Sequence, residues 1–100
     1  MAAVAIEPRN NGTLTIVVTS SSVATKFRDG GGVKTPYVFY NSATTDAFVA
    51  WGDSSASTTA TSGYPVGAGQ KEVIWINGTH LAVIGTSGNL YVTPVVNEGL

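Results

Sequence analysis

The sequence has no cysteine, a single histidine and little charge of either sign. Without cysteine there are no disulfides and no thiol chemistry, and a zinc site would have one imidazole and scattered carboxylates to draw on. Charged residues make up 11% of the chain, against roughly 25% in an average soluble domain. The net charge is −1, and Lys26, Arg28 and Lys34 form only a loose basic group around Asp29. That is too sparse to track a phosphate backbone, so no nucleic-acid partner is expected. No apolar run approaches the length of a bilayer span, so no membrane partner is expected either. The segment MAAVAIEPRNNG lacks a basic start followed by a sustained apolar stretch, so no secretory signal is read there.

What is present is apolar and hydroxylic. Hydrophobic residues reach 43%, the opposite balance from a disordered chain, so a packed core is expected. Serine and threonine supply the solvation that charges usually provide. A surface this poor in charge fits a protein that meets other protein in a dense assembly. It equally fits an ordinary small β domain rich in threonine.

The apolar residues recur at spacing two, and no helix is expected. Leu14, Ile16 and Val18 define one side of a strand within Thr13–Ser20. Val23–Phe27, Pro36–Tyr40 and Asp46–Trp51 are further strands, and Ala3–Glu7 is a short strand or arm closed by Pro8. Arg28–Thr35, with its consecutive glycines, is a loop. Ser54–Ser62 is an edge strand or a solvated loop, and Gly63–Gly69 a turn. Asn89–Val96 ends at Pro94 or lies at an edge, because proline cannot donate to a ladder. Lys71–Ile84 has the pattern of a β-hairpin turning at Asn77-Gly78 in a type I′ turn. That register sets Ile74 opposite Leu81 and Glu72 opposite Val83 on a core face. Trp75 opposite His80 and Val73 opposite Ala82 fall on a mixed face. Short strands recurring about every ten residues point to one all-β domain, an antiparallel β-sandwich or small barrel.

Few residues carry chemistry. His80 with Asp29, Asp46 or Asp53 and a serine could make a relay on paper, but no G-x-S-x-G elbow surrounds any serine. A cross-strand partnership with Trp75 is the better reading, and no enzyme is expected. Asp46, Asp53 and Glu72 lack the loop spacing of a calcium site, and GGGVK lacks the phosphate-loop spacing. No metal or cofactor is expected. The N-x-T sequons at Asn11 and Asn77 coincide with turns. Tyr37, Tyr40, Trp51, Tyr64, Trp75 and Tyr91 are core residues or a sugar-stacking platform.

From Asp46 onward the order of pieces is AFVAWG, DSSASTTATS, YPVGAG, a KEV-type strand, HLAVIG and SGNLYVTPVVNEGL. In this order the chain resembles the small virion proteins of tailed bacteriophages, of the capsid decoration (cement) type. The resemblance implies a sandwich of jelly-roll type, no catalytic residues, and a homo-oligomer on the mature capsid exterior with the major capsid protein as partner. It also implies location in the virion after assembly in the host cytoplasm. The alternative is a head or tail fibre module that binds host cell-surface glycan. Trp75 and His80 are the candidate contact residues. Ala3, Val4 and Ile6 join them if Ala2–Ile6 adds as a strand to a capsid sheet edge, the other reading being an edge strand of the domain itself.

Overall fold

Alternation of side chains converts directly into strands. The computed structural model describes residues 5–8 and 12–98 and has nine strands and no helix among them. They are β1 (Ala5–Pro8), β2 (Leu14–Val17), β3 (Val23–Lys26), β4 (Thr35–Asn41), β5 (Ala47–Gly52), β6 (Tyr64–Val66), β7 (Lys71–Ile76), β8 (His80–Ile84) and β9 (Asn89–Glu98). All pairing is antiparallel and forms two sheets. One has the order β1-β9-β4-β7 with β2 also on β9, and the other has the order β3-β8-β5-β6. The pairs β5·β6, β4·β7, β3·β8 and β2·β9 nest one outside the next. The architecture is a β-sandwich.

The two inner faces meet in one core. Phe39, Ile76, Leu81, Leu90 and Val66 have no exposed surface, and Ile16, Val18, Tyr37, Val49, Val83 and Val92 are buried beside them. Burying each large aliphatic or aromatic side chain contributes about 1.5–3 kcal/mol, so this cluster holds the sheets together. Among the described residues, the one fully buried large polar side chain is Asn41. Its Nδ2 donates to the Thr45 and Val66 carbonyls at 2.9 and 3.0 Å, and its Oδ1 accepts from the Ala43 N–H at 3.0 Å. Those bonds tie the end of β4 to the start of β5 and to β6, and they remove the penalty of an unsatisfied buried amide.

The expected hairpin at Lys71–Ile84 is not formed. β7 pairs with β4 in one sheet, and β8 pairs with β3 and β5 in the other. Residues 77–79 are therefore an arch that crosses between sheets. The same alternation serves both arrangements, because Ile76, Leu81 and Val83 are buried and Ile74 half-buried whether the strands pair or face each other across the core. The Asn-Gly turn chemistry is used, but differently. Gly78 has φ +90°, and a methyl group there would lie 2.6 Å from the Gly52 carbonyl oxygen. The arch is fastened by hydrogen bonds to neighbouring loops: Gly78 N–H to Gly31 O at 2.7 Å and Thr79 N–H to Gly52 O at 2.8 Å.

Pro94 neither ends a strand nor lies at an edge. β9 runs to Glu98 with β4 on one side and β1 and β2 on the other. The proline falls in the gap between those two partners, after Leu14↔Val92 and before Pro8↔Val95. The missing N–H is tolerated because the ladder on that side is interrupted there. Ala3 and Val4 lie outside the described residues. Ile6 lies in β1 opposite Asn97, so Ala5–Pro8 forms an edge strand of this sandwich.

Candidate functional site

The two outer faces of the sandwich differ sharply. On the four-stranded sheet, strand register sets Ala24, Ala82 and Ala50 side by side, with Lys26, His80 and Gly52 in a neighbouring row. Three adjacent alanines leave a shallow trough, and the hydroxyl-rich segment 53–63 lies across it. Thr58 N–H reaches the Ser22 hydroxyl beside β3 at 3.1 Å, Gly63 lies against Phe48, and Thr58 is buried while Ala82 has no exposed surface. The tract is thus a solvated loop with a buried anchor, and it covers this face.

Among the described residues, the outer face of the five-stranded sheet is the open one, with large side chains exposed on it. Its rows run Lys71, Tyr40, Tyr91, Thr15 and then Val73, Val38, Thr93, with Trp75 beside Pro36. Trp75 is 53% exposed, Val73 42% and, on β2, Val17 68%. Tyr40 and Tyr91 stack with ring centres 5.9 Å apart, and the Lys71 ammonium lies 5.4 Å from the Tyr40 ring centre. The Thr13 and Thr93 hydroxyls bond at 2.8 Å. Lys71 is the one charge in these rows. A face of exposed aromatic and β-branched side chains with so little charge has the composition of an interface core.

The two predicted contact residues part company. Trp75 stands on the open face. His80 sits on the other sheet between Lys26 and Gly52, with Nδ1 2.7 Å from its neighbour Thr79 Oγ1. The Trp75–His80 pair expected from the hairpin does not exist, because the two strands belong to different sheets. Nor does His80 form a relay with the hydroxyls and carboxylate nearby. The Ser55 amide and hydroxyl both donate to Asp53 Oδ1. Those bonds, with a smaller contribution from His80, hold the Asp53 carboxyl below its usual range.

The other carboxylates are dispersed. Asp46 accepts from the Ala68 N–H at 3.2 Å, and Glu72 accepts from the Tyr64 hydroxyl at 2.7 Å, which raises the Tyr64 pKa. Among the described residues no three His, Asp or Glu side chains gather as metal ligands. The six aromatics do not form one platform. Tyr37 is buried edge-on against Phe27, Tyr40, Tyr91 and Trp75 share the open face, and Trp51 and Tyr64 lie together beside β6.

One functional-looking side chain escaped the sequence reading. Arg28 is a clamp, not part of a basic patch. Its Nε donates to Gly78 O at 2.8 Å, its terminal nitrogens to Val33 O at 2.8 Å, Ile76 O at 3.3 Å and the Thr35 hydroxyl. It also lies over Phe27 and Tyr37. Lys26 pairs with Asp29 at 2.8 Å on the exposed surface. The only hint in sequence was an arginine next to an aromatic before a glycine run, which does not specify carbonyls some fifty positions away.

No protein family, curated protein or solved structure matches this chain.

Proposed function

We propose that this protein is a non-enzymatic structural component of a bacteriophage virion that decorates the mature capsid exterior, with the open face of the five-stranded sheet as its contact surface. The observation that carries this reading is the contrast between the outer faces: one is covered by the chain's own loop 53–63, and the other exposes Trp75, Val73 and Val17 around stacked tyrosines. The nested strand pairing supports a jelly-roll form of the sandwich. The molecule measures 40 × 28 × 25 Å, so a broad face is of the order of the roughly 800 Å² per partner that stable interfaces use. Binding only the mature lattice, as a homo-oligomer around its subunit junctions, would stabilise the shell by mass action. The major capsid protein is the proposed partner.

The glycan-binding alternative is less well supported in its original form, because Trp75 and Tyr91 lie on one face while Tyr64 lies at the edge of the other sheet. The test is co-sedimentation of the purified protein with mature, undecorated capsids. Wild type should pellet with the capsids and raise the temperature of genome release. Val73→Lys and Trp75→Ser should abolish both effects while leaving the protein folded, with an unchanged circular dichroism spectrum at the assay temperature. A wild-type protein that stays in the supernatant ends this proposal.

A further inference from the structure

A second surface has a different chemistry. Beside β6 a groove of about 470 Å³ is lined by Val49, Ala50, Trp51, Ser62, Gly63, Tyr64 and Pro65. It exists because β6 pairs with β5 only from Ala47 to Val49, while β5 continues to Gly52. Past Val49 the chain on the β6 side turns away at Gly63, and the gap is walled by two rings. Trp51 and Tyr64 stand with centres 6.5 Å apart and planes at 59°, so they form an open V and not a closed stack.

We infer that this groove is a binding subsite for a neutral saccharide. Its volume is within the range of small-molecule sites, which combine apolar walls with a few placed polar groups. Among the described residues no charged side chain lines it, so it complements an uncharged ligand. A pyranose presents apolar C–H faces to aromatic rings and hydroxyls at its rim, which is the division found here. The rings supply the faces. Ser62, whose Oγ bonds Thr59 Oγ1 at 2.8 Å and accepts from the Thr59 N–H at 3.2 Å, supplies a hydroxyl in the lining. Tyr64 is 42% exposed, yet its ring is fixed by the hydrogen bond from its hydroxyl to Glu72 Oε1 at 2.7 Å. That bond crosses from the edge of one sheet to the edge of the other, so the tyrosine is oriented before any ligand arrives, which reduces the entropy lost on binding. The site is separate from the open face proposed for capsid contact, and each can fail without the other.

The experiment is a titration followed by NMR, reading the indole N–H signals of Trp51 and Trp75. The probes are glucose, galactose, mannose, N-acetylglucosamine and their β-linked disaccharides. At least one should shift the Trp51 signal saturably and leave the Trp75 signal in place. Trp51→Ala should weaken binding about tenfold or more, as expected for loss of a stacked ring. Because Trp51 also packs on the core, Glu72→Ala and Tyr64→Phe provide a second arm: both remove the hydrogen bond that anchors the Tyr64 ring while sparing Trp51, and both should weaken binding severalfold. Trp75→Ala should bind as wild type. Absence of a saturable Trp51 shift with every probe overturns the inference, as does binding that persists unchanged in Trp51→Ala or disappears in Trp75→Ala.

Discussion

Val38 and Val73 stand directly opposite each other on the open face, one in β4 and one in β7, whereas Val73 and Ala82, which a hairpin would have paired, belong to different sheets. The chain has no native cysteine, so engineered pairs give a clean reading. Val38→Cys with Val73→Cys should form a disulfide readily under mild oxidation, since opposed strand residues lie within the Cα separation a disulfide spans. Val73→Cys with Ala82→Cys should remain reduced. Mass spectrometry of the alkylated protein separates the two outcomes, and a linked 73–82 pair would restore the hairpin.

Arg28 fastens the loop after β3 to the arch between β7 and β8 through the Gly78 and Ile76 carbonyls, and braces that loop itself through Val33 O and the Thr35 hydroxyl. Removing it leaves the Gly78 and Ile76 carbonyls without that donor. Arg28→Ala should cost about 2–4 kcal/mol in urea denaturation, the range for losing several bonds to a charged donor. Arg28→Lys should recover less than half, because a single ammonium cannot reproduce the planar fork of donors.

Ala82 is fully buried on an outer face, because segment 53–63 crosses the alanine row. Ala82→Leu should therefore behave as an overpacked core position and destabilise by about 1–3 kcal/mol. It should also lift the loop, so limited proteolysis should cut within 53–63 faster than in wild type. A leucine tolerated without either effect would mean that the loop does not press on the sheet.

Asp53 titrates below its usual range because of the two hydrogen bonds from Ser55, helped by His80. A carboxylate whose folded pKa is lowered adds stability above its unfolded pKa and loses it as pH falls through the folded value. The contribution therefore disappears on the acid side of the ordinary aspartate range. The group is solvent-exposed, so the effect on stability is slight. Ser55→Ala should bring the Asp53 titration, followed by carboxyl-carbon NMR, back toward the ordinary value. No movement would assign the depression to something other than Ser55.

Much of the fold was legible because strand alternation is local. Ile16, Val18, Leu81 and Val83 could be assigned to one side from spacing alone, and all are buried. The open face was not legible in the same way. Val38, Tyr40, Val73 and Tyr91 are far apart in sequence and share a surface only through the pairing of β4 with β7 and β9. Trp75 was singled out for the right exposure but the wrong neighbour. The Trp51–Tyr64 groove had no sequence signal, since it depends on how soon β6 turns away from β5.

By itself the sequence determined an all-β chain with a period-two core and no concentration of residues for metal or thiol chemistry. It did so because side-chain direction in a strand follows from position parity, and composition limits chemistry whatever the fold. Which strands became neighbours was decided only by tertiary structure. Asn77-Gly78 permits a reversal within one sheet or an arch between two. Local turn preferences do not distinguish them. The choice lies with distant partners, Gly31, Gly52 and Arg28, whose backbone and guanidinium bonds hold the arch, and with β4, β3 and β5, which take up the ladders that β7 and β8 would otherwise have given each other.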